Sequence, residues 1–97
     1  MMKRLAPVHP GEVLKVEFLE PHRLSAAGLA VELGVPGNRI SELVRGRRGV
    51  TGDTALRLGR FFGTTPELWL NMQARYELDM ARDRAGDEIA RIKPLAA

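Results

Sequence analysis

The sequence predicts an all-α domain, a bundle of five to six helices that contains a helix-turn-helix. Three observations favour this fold. Apolar residues recur at helical spacing along most of the 97 residues. Prolines, glycines and capping residues divide these periodic stretches into helix-sized pieces. In the stretch 29–45, a small residue, a glycine and a proline follow one another in the order that a sharp turn between two helices requires.

The predicted helix-turn-helix runs from Leu29 to Arg45. Ala30 is small enough for two helices to cross closely. Gly34 can adopt the left-handed conformation that the reversal needs, and Pro36 fixes φ for the first turn of the following helix. The second helix, at about residues 36–45, is therefore the candidate reader of a DNA groove. Four apolar side chains fill the wedge between the two helices: Leu33, Val35, Ile40 and Leu43.

Two helices are predicted before the turn, and the second of them is the first helix of the helix-turn-helix. The first spans about residues 11–20, where Pro21 ends it. The next spans about 26–33 and begins at the N-cap residue Ser25, whose position at a helix N-terminus also suits a phosphate group. His9 and His22 stand alone without clustered ligands, so capping or surface roles are favoured and no metal site is expected.

The third predicted helix has two distinct faces. Ile40, Leu43 and Val44 form its apolar side. The opposite side is a polar stripe at positions i, i+3, i+4 and i+7, with Arg39 beside it; its members are Asn38, Ser41, Glu42 and Arg45. A polar stripe of this kind is often only solvated, but the preceding turn and the nearby arginines favour DNA contact.

Each polar residue of the stripe suits a particular base edge. Asn38 can pair with adenine through two hydrogen bonds, and Arg39 or Arg45 can pair with guanine in the same way. Glu42 can accept a hydrogen bond from cytosine, or it can orient Arg39 or Arg45, and the sequence does not choose between these roles. Pro36 and Gly37 offer no polar side chain at the tip of the helix, so DNA shape is expected to contribute to specificity.

The positive charge is concentrated in and after this helix. The chain carries a net charge of +3, whereas residues 36–60 alone carry six arginines against two acidic residues. Arg47 and Arg48 lie in the loop that follows the helix, and we expect them to anchor the DNA backbone. Thr51 caps the next helix and offers a second place for a phosphate. A polyanion is the natural partner of this region.

The fourth and fifth helices are predicted at about residues 52–63 and 66–83, the latter opened by Thr65-Pro66-Glu67. The fifth is apolar over more of its circumference than one core contact needs. We expect one apolar stripe to form a homodimer interface and the other to pack on the core, the alternative being that the domain wraps both. The stripe assigned to the dimer interface consists of Trp69, Met72, Tyr76 and Met80.

The remaining segments bound the domain. Residues 1–8 are expected to form a flexible arm, residues 9–83 the DNA-binding and dimerisation domain, and residues 84–97 a C-terminal extension that is a short helix or a tail. The chain has no cysteine, no catalytic serine-histidine-acid grouping, no phosphate loop and no HExxH motif. We therefore expect no enzyme activity, no cofactor and no metal. With no apolar run long enough for a membrane, a cytoplasmic location is expected.

Several motifs along residues 9–80 resemble the HigA antitoxins, a group of phage-repressor-like (XRE-type) regulators. The motifs are His9-Pro10-Gly11-Glu12, the helix-turn-helix of residues 29–43, Arg47-Arg48, the run from Thr51 to Leu58, the run from Phe62 to Glu67, and Trp69-Leu70-Asn71 through Gln73 to Tyr76. The resemblance implies a lambda-repressor-like bundle. The sequence departs from the family pattern at Pro36-Gly37, where repressors of this group often have a polar residue.

The resemblance also implies a function. Members of the family are bacterial cytoplasmic homodimers that neutralise a HigB-type toxin, a ribosome-dependent mRNA endonuclease, and repress the operon encoding both proteins. The expected partners are therefore double-stranded operator DNA, the toxin and a second copy of the chain, with no membrane. The alternative is a stand-alone XRE-type transcriptional regulator without a toxin partner. By similarity, the DNA contacts fall on Ser25, Asn38, Arg39, Ser41 and Arg45.

Overall fold

A computed structural model describes residues 6–96, which form five helices and no strands. The all-α bundle predicted from the sequence is thus confirmed. Helix α1 begins at Pro10–Val13 and continues directly as a π-helical segment, Leu14–Leu19. The others follow in the predicted order: α2 at Ala26–Leu33, α3 at Gly37–Val44, α4 at Gly52–Phe62 and α5 at Pro66–Ala90.

The π-helical segment of the first helix departs from the regular α-helix that the sequence predicted there. The Glu20 amide donates to the Lys15 carbonyl at 3.0 Å, and the Leu24 amide donates to the Leu19 carbonyl at 2.9 Å. Both bonds span five residues, which widens the turn and brings residues five apart towards the same face. Leu14 and Leu19, which are separated by this spacing, are both buried in the core.

The helix-turn-helix has the predicted glycine corner. Gly34 ends α2 in the left-handed conformation, with φ of 70°. The amide of Val35 then donates to the Ala30 carbonyl at 3.0 Å, which closes the end of α2. Pro36, however, is the N-cap of α3 with an extended ψ of 144°, not a residue of its first turn. The proline ring fixes φ but offers no side-chain acceptor, so α3 has no side-chain N-cap, and the Arg39 amide donates instead to the Pro36 carbonyl at 3.0 Å.

The hydrophobic core lies where α2, α3, α4 and the start of α5 meet the first helix. Its fully buried side chains include Trp69, Leu14, Leu29, Ile40, Leu43 and Leu58. Trp69 is 0% exposed, and its indole N–H donates to Thr64 Oγ1 at 2.8 Å. The prediction that Trp69 lies in a dimer interface is therefore wrong, because the ring is enclosed within one chain and has no surface to offer another.

The other residues of that stripe lie in different surroundings. Met72 is partly buried against the core. Tyr76 meets the ring of His9 edge-on, with ring centroids 4.8 Å apart. Met80 is half-buried. Since only one copy of the chain is present, a dimer interface at Met72, Tyr76 and Met80 stays a prediction.

The fifth helix is longer than predicted. It continues past residue 83 to Ala90, with a break in helical geometry at Ala85, whose φ is −136°. Its far half carries large exposed apolar side chains, including Leu78 and Ile89. Residues 1–5 of the predicted arm, and residue 97 of the predicted extension, lie outside the described residues. Among the described residues, no helix has the length and apolar character that crossing a bilayer would require.

Candidate nucleic-acid interface

Helix α3 presents one face to the core and the other to solvent. Ile40 and Leu43 are 0% and 1% exposed, and they anchor the helix because each removes a full aliphatic side chain from water. Asn38 and Arg45 are exposed on the opposite face, and Ser41 and Glu42 are half-buried between the two. The polar stripe predicted from the sequence is therefore continuous and reaches solvent.

At the N-terminal end of α3, Arg39 is held by a carboxylate of the next helix. Its Nη1 donates to Asp53 Oδ2 at 2.6 Å. The same oxygen accepts from Arg57 Nε at 2.9 Å, and Arg57 Nη1 donates to the Leu33 carbonyl at 2.7 Å. Hydrogen bonds from Arg57, and then from Arg39, lower the pKa of Asp53, because they favour its charged form.

At the C-terminal end of α3, Glu42 pairs with Arg48. Both Nε and Nη2 of Arg48 donate to Glu42 Oε1, at 3.0 and 2.6 Å. The sequence left open whether Glu42 contacts cytosine or orients Arg39 or Arg45. The structure pairs it with neither arginine but with Arg48, and a contact with cytosine stays a prediction. The pairing with Arg48 arises because the loop after α3 folds back over its last turn, where the Arg47 amide donates to the Glu42 carbonyl at 2.8 Å.

Arg45 and Arg47 differ from these two arginines. Both are exposed, and neither side chain forms an ion pair or a hydrogen bond with any residue between 6 and 96. Gly46 lies between them with φ of 74°, a left-handed conformation that turns the chain out of the helix. Two unpaired guanidinium groups therefore flank the end of the polar stripe.

The hydroxyls of Ser25 and Thr51 act as helix caps. Ser25 Oγ accepts from the Gly28 amide at 2.9 Å, and Thr51 Oγ1 accepts from the Thr54 amide at 3.4 Å. Both residues are exposed. Because the Ser25 hydroxyl only accepts in its cap, its O–H remains a donor for an anion, whereas the O–H of Thr51 donates to Thr54 Oγ1 at 3.4 Å.

Behind α3, a set of contacts that the sequence did not predict fixes the arginine-bearing loop. A Cβ built on Gly11 would stand 1.7 Å from the carbonyl oxygen of Leu43, so the start of α1 lies directly against the end of α3. Gln73 of α5 accepts from the Val50 amide through Oε1 at 2.8 Å. These contacts join residues far apart in the chain, and no local pattern marks them.

His9 connects the same elements. Its Nδ1 accepts from the Gly11 amide at 2.9 Å and so caps α1. Capping is one of the two roles that the sequence favoured for this histidine. Burial lowers the pKa of His9, and a hydrogen bond with the backbone of Arg48 partly opposes that effect. Over the described part of the chain, no group of three or more histidine, cysteine, aspartate or glutamate side chains could hold a metal ion.

An exposed polar helix face after a glycine corner, with arginines beside it, defines a helix-turn-helix protein of the DNA-binding class. The helix-turn-helix family model matches residues 17–69. The chain belongs to the HigA family of antitoxins within that class. It is 44% identical over 90 residues to antitoxin HigA-1 of Vibrio cholerae, covering 92% of this chain and 84% of that protein.

The chain is also similar to two other proteins. The chain is 55% identical over 74 residues to virulence-associated protein I of Dichelobacter nodosus, a match that covers 76% of this chain and 68% of that protein. The solved structure of the Pseudomonas aeruginosa antitoxin HigA with the higBA promoter superposes with a TM-score of 0.89 and 42% identity. That match covers 93% of this chain and 99% of the other.

Proposed function

We propose that the chain is the antitoxin of a type II toxin–antitoxin module, acting as a homodimer that binds operator DNA, represses its own operon and neutralises a HigB-type mRNA endonuclease. The observation that carries the DNA part is the exposed stripe of α3, which ends at Arg45 and Arg47, two arginines without a side-chain partner among residues 6–96. The Pseudomonas aeruginosa antitoxin bound to a promoter, which is similar over nearly the whole chain, supports the same function.

In this proposal the side chains divide into two groups. Asn38 and Arg45, exposed and on one face, read base edges in the major groove, with Arg39, Ser41 and Glu42 beside them. Backbone phosphates are bound by Arg47 and Arg48 in the loop and by the helix N-termini at Ser25 and Thr51. Phosphate contacts fix the register of the protein, and the base contacts supply the sequence preference.

Pairing of two copies follows from the size of the reading surface. Helix α3 has only eight residues, and one such helix contacts few base pairs, so a two-fold dimer on two half-sites gains both affinity and specificity. We assign the partner surface to α5, where Met72, Tyr76 and Met80 are half-buried within one chain.

The experiment that tests the DNA function compares base-reading with phosphate-binding side chains. We expect Asn38→Ala to weaken binding to the operator by about 1–3 kcal/mol and to change binding to random DNA little, and Arg45→Ala to weaken binding to the operator more than binding to random DNA. The matched variant Arg47→Ala should weaken binding to both and lower the salt slope by about one unit. Titrations of labelled operator and random duplexes at several salt concentrations measure the affinities of the three variants. Equal losses of affinity for operator and random DNA in Asn38→Ala would contradict base reading.

The toxin is tested separately. The product of the neighbouring small open reading frame is expressed with this chain, and the mixture is run on gel filtration. Co-elution, with loss of mRNA cleavage by the partner, is the expected result. Operator binding without co-elution would leave the stand-alone transcriptional regulator as the better description.

A further inference from the structure

Asp53 occupies the second position of α4 and links three helices of the DNA-binding unit. Its Oδ2 accepts from Arg39 of α3 at 2.6 Å and from Arg57, one turn along α4, at 2.9 Å. One carboxylate oxygen thus carries two charge-assisted hydrogen bonds, which are shorter and stronger than neutral ones. The side chain of Arg39 is 28% exposed beside α4.

Arg57 is itself fixed at a second point. Its Nη1 donates to the carbonyl of Leu33, the last residue of α2, at 2.7 Å. A cation at the C-terminus of a helix also interacts favourably with the helix dipole. The series Leu33, Arg57, Asp53, Arg39 therefore runs from the end of the first helix of the motif, through α4, to the first turn of α3.

Arg39 lies in the first turn of α3, so the hydrogen bond that holds its side chain bears on DNA recognition. Neither Pro36 nor Gly37 has a polar side chain, so Arg39 and Asn38 are the polar side chains of the first turn of α3. A free arginine side chain must lose rotamer freedom when it pairs with a base, whereas one that is already held loses less. A carboxylate beside it also repels phosphate, which opposes contacts that Arg39 could otherwise make to any DNA backbone.

We infer that Asp53 is a positioning residue for DNA recognition: it holds the guanidinium of Arg39 in the orientation used at the major groove and so sets how well operator is distinguished from other DNA. This inference rests on the proposed function. The lowered pKa of Asp53 has the same origin, because the hydrogen bonds from Arg57 and Arg39 favour the charged carboxylate.

The test uses Asp53→Asn, which keeps the shape of the side chain and removes its charge. The probes are a duplex selected by the wild-type protein from a random pool and the same duplex with shuffled bases. We expect the affinity ratio of selected to shuffled duplex to fall about three- to tenfold, while affinity for the shuffled duplex rises and its salt slope steepens by about one unit.

Glu67→Gln is the matched control, because Glu67 is also the second residue of its helix and carries the same charge, but pairs with no arginine among residues 6–96. It should leave the ratio unchanged. In an Arg39→Ala background, Asp53→Asn should no longer alter the ratio. The inference is overturned if Asp53→Asn leaves the ratio of selected to shuffled affinity unchanged, or if the ratio falls equally with and without Arg39. It is also overturned if Asp53→Asn loses affinity equally for both duplexes and has a lower melting temperature.

These outcomes are distinguishable from failure of the proposed function. A wild-type protein that binds selected and shuffled duplexes equally would contradict sequence-specific binding itself, and the inference would fall with it. A wild-type protein that distinguishes the two duplexes, together with an Asp53→Asn variant that does so equally well, would contradict the inference alone.

Discussion

The two ends of α3 are held in different ways. Its N-terminal end has no side-chain cap and is tied to α4 through the exposed ion pair of Arg39 with Asp53. Its C-terminal end is enclosed: the backbone of Gly11 lies against the Leu43 carbonyl, and Gln73 binds the amide that follows the loop. The first arrangement controls the direction of one side chain, and the second controls the position of the whole helix.

This contrast has an energetic basis. Exposed ion pairs stabilise a fold by about 0–1 kcal/mol because solvent screens them. Close packing and buried amide hydrogen bonds contribute more, since their loss leaves overlap or an unpaired polar group. We therefore expect the C-terminal contacts to govern folding and the N-terminal contacts to govern recognition. Two substitutions and one pH titration test that division.

The largest effect is expected from Gly11→Ala. The added methyl group would stand 1.7 Å from a backbone oxygen, which cannot move without displacing α1 or α3. We expect the free energy of unfolding to fall by about 3 kcal/mol or more, measured by urea denaturation followed by circular dichroism. Gly37→Ala, at the other end of α3, is the control because nothing lies within 4 Å of the new Cβ.

Gly37→Ala should be neutral or should stabilise the protein by up to about 1 kcal/mol, since alanine restricts the unfolded chain more than glycine does. Equal destabilisation by both substitutions would remove the distinction between the two ends of the helix.

A smaller effect is expected from Gln73→Leu. Leucine fills a similar volume but cannot accept from the Val50 amide, which is left without its partner. The expected cost is about 1–3 kcal/mol in the free energy of unfolding. Gln73→Glu keeps an acceptor oxygen and should cost less than Gln73→Leu. If the leucine variant were as stable as the wild type, the loop would not depend on α5.

The smallest effect is a pH dependence through His9. Because burial lowers the pKa of His9 below its ordinary value of 6.5, the unfolded chain takes up the proton first as the pH falls. Stability is then fully present above about pH 6.5 and declines as the pH falls towards the lowered pKa. Protonation at Nδ1 also ends its acceptance of the Gly11 amide.

Thermal melts between about pH 5 and 8 measure this effect, because histidine is the side chain whose ordinary pKa lies in that range. His9→Asn retains a capping oxygen and does not titrate, so its melting temperature should vary less over the same range. Identical pH profiles for the two proteins would mean that His9 does not couple protonation to folding.

The residues that the sequence predicted well are those whose role depends on near neighbours. The amphipathic pattern of α3, the glycine corner at Gly34 and the caps at Ser25 and Thr51 are all set within a few residues. The close approach of Gly11 to Leu43 has no such signal, because a glycine after a proline is equally typical of a turn. Trp69 shows the same limit, since apolar periodicity marks a buried face without saying which surface buries it.

Ion pairs were the least predictable part of the site. Glu42 has Arg39 and Arg45 within one helical turn, yet it binds Arg48 because the loop folds back. Asp53 binds an arginine of a different helix, and only the crossing geometry of α3 and α4 brings the two together. Charge spacing along a helix gives candidates for pairing, but the fold decides among them.

The carboxylates set among the arginines also bear on how such a protein would find one site in a genome. Affinity for non-specific DNA grows with the number of basic side chains that have no acidic partner. A chromosome offers about a million or more non-specific sites that compete with the operator. Arg39 and Arg48 are each balanced by a neighbouring acid, which leaves Arg45 and Arg47 as the arginines of the stripe and its loop that pair with no acid among residues 6–96. Under the proposed function, this pairing would shorten the time spent on non-operator sequences, so fewer copies would be needed to keep a single promoter occupied.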